Sequence, residues 1–97
     1  MEKLALMVRL EAKAGKEKEL SDFIKSALPL AIAESFTSKW YALQLGPAIF
    51  GIFDSFENEE GRSSHLGGQI AQALMKNAPH LLVRDPVIEK ADILAVK

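Results

Sequence analysis

The chain has no cysteine, only one tryptophan and one tyrosine, and almost equal numbers of positive and negative side chains. Without cysteine it can form no disulfide, thiolate nucleophile or thiolate metal site. A net charge of −1 leaves no basic excess to neutralise phosphates or anionic lipid headgroups, so we expect neither nucleic acid nor a membrane surface as partner. The longest apolar run, Ala27 to Ala33, contains Pro29 and falls far short of the ~20 residues of a membrane span.

The overall composition is typical of one globular domain. Hydrophobic residues make up 48% of the 97 positions and charged residues 26%, which is apolar enough to form a core and too mixed for a disordered chain. We therefore expect a single domain over residues 1–97. No basic segment followed by an apolar stretch and a small-residue cleavage site precedes the first predicted strand, so the expected location is cytoplasmic.

Hydrophobic spacing in the first half of the chain predicts one strand, one helix and a hairpin. Apolar residues alternate from Lys3 to Glu11, which is typical of a strand. A helical stripe then extends from about Gly15 to Glu34, and Pro29 predicts a kink or restart within it. Residues 37–45 and 48–56 are rich in strand formers on either side of a Gly-Pro turn, and this pattern predicts a β-hairpin.

The second half predicts a further helix and a last strand. Asn58 has the side chain of a helix N-cap, and the helical stripe that follows is interrupted at Gly67-Gly68. Asp85-Pro86 ends this region, and Val87 to Val96 is predicted as the fourth strand. The resulting order, βαββαβ, predicts an α+β, ferredoxin-like fold: a four-stranded antiparallel sheet with two helices on one face.

The predicted strands carry apolar side chains on both faces. Ala5 and Met7 alternate with the leucines of the first strand, and Ile49 and Phe53 occupy the corresponding face of the third. Two helices cover only one face of such a sheet, so a second copy is the simplest cover for the other. We therefore expect a homodimer that packs through its sheet faces. The alternative to a dimer is a single, well-covered sheet whose strands alternate only weakly between apolar and polar residues.

Three short stretches of the sequence carry a family resemblance. They are Ala14-Gly15-Lys16-Glu17 at the entry to the first helix, Phe53-Asp54-Ser55-Phe56 at the end of the third strand, and His65-Leu66 after an acidic segment. Over nearly its whole length the chain resembles the antibiotic-biosynthesis monooxygenase (ABM) family, which belongs to the dimeric α+β barrel superfamily. The family has a Glu-Pro-Gly-Cys segment before strand two, of which only Glu34 matches here. A second histidine that often follows the first in the family is also missing, and Gly67-Gly68-Gln69 stands in its place.

The resemblance implies an activity as well as a fold. Family members known as enzymes oxidise electron-rich phenolic or quinol substrates with molecular oxygen, without a metal, flavin or haem. It therefore implies a cofactor-independent monooxygenase that takes a small aromatic or quinol compound. The alternative, from a different class, is a non-catalytic dimer of the same fold that binds a small molecule or acts as a scaffold.

The candidate site contains five residues. Such an oxygenase needs a base to form the substrate anion, and His65 is the candidate for this catalytic role. The substrate-binding candidates are Trp40, Asp54, Phe56 and Gln69, and we expect them around an apolar pocket between the sheet and its helices. We expect no metal site and no bound cofactor, because two histidines without cysteine do not form a typical ligand cluster.

Each candidate also has a purely structural interpretation. His65 can cap or tie down the nearby helix break, and Asp54 can anchor the free amides of the following helix. Trp40 can belong to the dimer core instead of a substrate wall. Arg62, on the second predicted helix, is interpreted as a solvated residue.

Overall fold

The chain folds around one antiparallel sheet in a computed structural model that describes all 97 residues. The strand order is β2-β3-β1-β4, so the first strand of the sequence lies inside the sheet and β2 and β4 form its edges. The strands are β1 (Leu4–Glu11), β2 (Lys39–Gln44), β3 (Ile49–Phe56) and β4 (Val87–Asp92). This is the predicted ferredoxin-like α+β fold.

Each predicted helix is divided into two, as the sequence suggested. The helices are α1 (Glu17–Ser26), α2 (Leu28–Ala33), α3 (Glu59–Leu66) and α4 (Gln69–Leu81). Pro29 lies in the first turn of α2, where its missing N–H breaks no helical hydrogen bond. Gly67 and Gly68 separate α3 from α4. The longest helix has 13 residues, and none has the length and apolar character needed to cross a bilayer.

The last strand is shorter than the sequence predicted. We expected it to continue to Val96, but it ends at Asp92, which is paired with Leu4 at the beginning of β1. One further backbone bond joins Ile93 N–H to the Lys3 carbonyl, and beyond it the neighbouring strand provides no ladder. The extent of β4 is therefore limited by its partner strand, which its own apolar pattern does not reveal.

The helices cover one face of the sheet, and the space between the layers is filled. Pairing in register places Val8 beside Ile52 and Leu10 beside Phe50 on the helix side. These four residues belong to a cluster of 11 buried side chains that includes residues of α1 and α4. A smaller cluster joins α4 to the α1–α2 region, and Trp40 packs against both clusters.

The other face of the sheet is uncovered in the single chain. Met7 and Phe53 are paired there, and the Tyr41 ring lies 6.2 Å from that of Phe53, measured between centroids. Tyr41 remains 50% exposed and Val87 47%. This apolar sheet face has no covering element within the chain.

Candidate functional site

A buried histidine lies between two carboxylates. His65 Nδ1 is 2.6 Å from Glu34 Oε1, and His65 Nε2 is 2.8 Å from Asp54 Oδ2. The first contact is a hydrogen bond, whereas the second is an ion pair whose geometry falls outside that of a good hydrogen bond. Asp54 is fully buried, and only 7% of the His65 side chain and 10% of that of Glu34 are exposed. These three residues form what we call the carboxylate–histidine array.

The array favours a protonated imidazole. Both ring nitrogens face an acceptor oxygen, and only the imidazolium form carries a proton on each of them. Burial by itself lowers the pKa of His65, but the contacts and charges of Asp54, followed by those of Glu34, raise the pKa above its ordinary value of 6.5. With His65 protonated and both carboxylates ionised, the array has a net charge of −1.

Three elements bring the array together. Asp54 comes from β3, His65 from the last turn of α3, and Glu34 from the C-terminal end of α2, where it also accepts a hydrogen bond from the Thr37 hydroxyl at 2.7 Å. The rings of His65 and Phe56 lie 5.3 Å apart, measured between centroids. The array therefore connects the sheet to both halves of the helical layer.

Two residues at the start of α3 determine how closely it approaches the α2–β2 loop. The Asn58 side chain caps the helix by accepting the Gly61 N–H at 2.9 Å. A Cβ added at Gly61 would lie only 2.8 Å from the Phe36 carbonyl oxygen, so the loop reaches α3 at that point because the residue there is glycine. The close approach brings the loop that follows Glu34 against the helix carrying His65.

Trp40 lies on the same side of the sheet as Asp54. The two residues are directly paired across β2 and β3. The indole Nε1 and the remaining carboxylate oxygen, Asp54 Oδ1, are both buried, and neither has a hydrogen-bond partner. The structure thus joins Trp40, Asp54, Phe56 and His65 in one region.

Two surface clefts border this region. The α2–β2 cleft has a volume of about 210 Å³ and is lined by Ala31, Ile32, Thr37, Ser38, Lys39 and Trp40. The Glu34 cleft has a volume of about 260 Å³ and is lined by Leu30, Ala33, Glu34, Phe36, Gly68 and Gln69. Gln69 and Trp40 therefore line different clefts. The expected apolar pocket between sheet and helices exists only as open clefts at the margins of a filled interior.

Sequence reasoning interpreted two residues differently from the structure. Arg62 is not solvated: it is 7% exposed and donates to the carbonyls of Ala5 and Ala91, at 3.3 and 3.2 Å, while pairing with Glu59. Glu34 was noted only as a motif match, yet it completes the array. That single match to the family segment was the available signal.

Asp54 does not anchor the helix amides, because neither of its carboxylate oxygens accepts a hydrogen bond and Asn58 caps α3. The array is also not arranged as a metal site, because its two carboxylates lie at opposite ends of the imidazole ring.

Comparison with known proteins identifies a close relative. No protein-family model and no curated protein matches the chain. A solved structure of a protein of unknown function from Nitrosomonas europaea, NE2512, is 61% identical over 100% of this chain and 94% of its own, with a TM-score of 0.98. The chain belongs to the NE2512 family.

The fold of this NE2512-family protein also matches that of provisionally assigned antibiotic biosynthesis monooxygenases. One, from Nitrosomonas europaea, has a TM-score of 0.84 at 12% identity and covers 95% of this chain and 99% of its own. Another, from Caulobacter crescentus, has a TM-score of 0.81 at 13% identity and covers 97% and 92%. At these identities the likeness establishes the ABM-like fold alone.

Proposed function

We propose that this protein is a cofactor-independent monooxygenase that oxidises a small phenolic or quinol compound with molecular oxygen. The observation that carries the proposal is the carboxylate–histidine array, a buried charged group beside an aromatic side chain and two clefts of small-molecule size. The shared fold with provisionally assigned monooxygenases supports the same reaction class.

The array supplies a place for the substrate proton. With a net charge of −1 it is neutralised by one proton, and a buried charge is costly enough to favour that neutralisation. His65 has both nitrogens occupied, so in this proposal it holds Asp54 and Glu34 in place as an imidazolium while a carboxylate accepts the proton. For His65 to be the base itself, as the sequence predicts, one of its contacts with Asp54 or Glu34 must first break.

The reaction balances without a cofactor. A quinol that has lost its proton can pass electrons to molecular oxygen. One atom of the O₂ then becomes bonded to a ring carbon, and the other is released as water. The substrate loses two hydrogen atoms and gains one oxygen, so a quinol and O₂ give a hydroxyquinone and H₂O. The array's contribution is to hold the proton while the electron-rich anion reacts.

Oxygen uptake with an Asp54→Asn variant tests the proposal. We expect wild-type protein to consume oxygen with some members of a phenol and quinol panel. When the gas supplied is O₂ labelled with oxygen-18, the label should appear in both the product and the water formed. Asp54→Asn should reduce the rate by about 10²–10⁴ without changing the circular dichroism spectrum. Asp22→Asn, which alters an exposed carboxylate paired with Lys18, is the matched control and should leave the rate unchanged. No uptake across the panel would refute the oxygenase.

A second candidate is a non-catalytic protein of the same fold that binds a small molecule. Two observations favour it: the interior between sheet and helices is filled, and both nitrogens of His65 are occupied. Saturable ligand binding without oxygen consumption would select this candidate.

We also propose a homodimer formed through the uncovered sheet face. The support is the exposed apolar surface around the Met7–Phe53 pair, with Tyr41 and Val87 half exposed. An interface of this kind should bury more than ~1,000 Å². Light scattering at micromolar concentration should therefore give twice the chain mass, and a monomeric mass would refute it. The cytoplasmic location stays a prediction.

A further inference from the structure

Two buried polar atoms face the helix layer without partners. Trp40 Nε1 can only donate a hydrogen bond and Asp54 Oδ1, as a carboxylate oxygen, can only accept one. Asp54 has 0% of its surface exposed. Leaving such groups unpaired in a protein interior is costly, and tryptophan N–H groups normally find a partner when buried. Each of the two atoms therefore lacks the polar partner that its burial calls for.

The backbone places the two atoms on neighbouring strands. Trp40 and Asp54 are direct partners in the β2–β3 ladder, and side chains so paired lie side by side on one face of a sheet. They do not bond to each other. A hydroxyl is the simple group that satisfies both, because its oxygen accepts from the indole N–H while its own proton is donated to the carboxylate. An ether or a methyl group cannot do so.

The α2–β2 cleft borders this pair on the Trp40 side. Trp40 is one of its lining residues, whereas Asp54 is fully buried and is not, so a ligand hydroxyl must displace surrounding side-chain atoms to reach the pair. Trp40 lines the cleft and remains partly exposed, whereas its Nε1 is buried, so the indole edge that carries the N–H is directed inward. The cleft volume of about 210 Å³ exceeds the ~150 Å³ that accommodates benzene in a protein cavity. Ala31 and Ile32 give it an apolar wall.

We propose that Trp40 and Asp54 form a hydroxyl-binding pair that holds the phenolic hydroxyl of a small aromatic ligand whose ring occupies the α2–β2 cleft. The identity of the ligand rests on the proposed function, but the hydroxyl requirement rests on the two unpartnered atoms. The pair selects phenols with a free hydroxyl over their methyl ethers. It also orients the phenolic proton towards Asp54 Oδ1, which is buried and accepts no hydrogen bond within the chain.

The single tryptophan makes the pair directly observable. Protein labelled with nitrogen-15 gives one indole N–H signal, which can be followed by NMR during anaerobic titration with phenol or hydroquinone. We expect a saturable shift of that signal with both phenols and a much weaker response to anisole, the methyl ether of phenol. No saturable shift with phenol, or an equal response to anisole, would overturn the proposal. So would an indole N–H that stays in contact with a water proton throughout the titration.

Variants separate the two hydrogen bonds. Calorimetric titration with phenol should give a Kd weaker by about fivefold in Trp40→Phe and by about tenfold or more in Asp54→Asn, since the second bond has a charged acceptor. Anisole affinity should change little in either variant. Tyr41→Phe, on the same strand but the opposite face, is the matched control and should bind phenol as wild type does. If Trp40→Phe fails to fold, the wild-type comparison of phenol with anisole still decides.

The inference and the proposed function fail in different ways. An indole shift with phenol but no oxygen uptake in air would support the hydroxyl-binding pair and refute the oxygenase. Oxygen uptake without any indole shift would support the oxygenase and refute the pair.

Discussion

Replacing His65 with glutamine should strongly destabilise the protein, and the loss should depend on pH. The substitution removes the positive charge between Asp54, which is fully buried, and Glu34, whose side chain is 10% exposed. Removing one partner of a buried ion pair costs about 3–5 kcal/mol because the remaining charge stays desolvated. For a chain of this size the total free energy of unfolding is about 5–15 kcal/mol, so His65→Gln should lose a large share of it.

The pH dependence follows from the raised pKa of His65. A group whose pKa is higher in the folded state stabilises that state fully below its unfolded pKa of 6.5, and this contribution disappears as pH rises through the folded pKa. The difference in unfolding free energy between wild type and His65→Gln should therefore be largest near pH 6 and decrease towards pH 9.

Urea denaturation at fixed protein concentration measures this difference at each pH. His80→Gln is the matched control: its ring is 63% exposed, and it pairs with Glu19 at the surface. It should cost less than about 1 kcal/mol at every pH. The ion-pair interpretation of the array would be refuted if His65→Gln lowered the free energy of unfolding by less than about 1 kcal/mol at pH 6, or if its loss increased with pH.

Three further predictions concern the fold and its assembly. Gly61→Ala should cost about 1–3 kcal/mol in urea denaturation, because its Cβ would meet the Phe36 carbonyl at 2.8 Å, whereas Gly46→Ala, with open space around it, should cost little. Asn58→Ala should cost about 1 kcal/mol through loss of the α3 cap, and Asn58→Asp should largely retain stability. Met7→Glu should halve the mass measured by light scattering if the uncovered sheet face forms the dimer, since it places an unpaired charge there.

Much of the fold could be predicted because its signals are local. The alternation of Leu6, Val8 and Leu10 identifies β1, and all three are buried on the helix side. Pro29 and the glycine pair at 67 and 68 act on the backbone within a few residues, so both helix breaks could be recognised from the sequence. The end of β4 could not, because it depends on where β1 begins to offer partners.

The site was predicted only in part, for the same physical reason. Asp54 and His65 were named as site candidates through the family resemblance, but their contact depends on how α3 lies on the sheet. Glu34 is 31 positions from His65 in the sequence, and the residues around Glu34 do not indicate that it contacts a buried histidine. Arg62 looks like a surface residue in its helix and becomes buried because it reaches a carbonyl 57 positions away.

The position of β1 inside the sheet has a consequence for the order of folding. β1 pairs with β3 on one side and with β4 on the other, and most of the chain separates it from β4. Contacts between such distant segments slow folding, because a long loop must close before they form. β4, with all six residues exposed and β1 as its only neighbour in the sheet, gains the least from packing. It is the natural last strand to dock and the first to open, so its amide protons should exchange with solvent faster than those of β1 and β3.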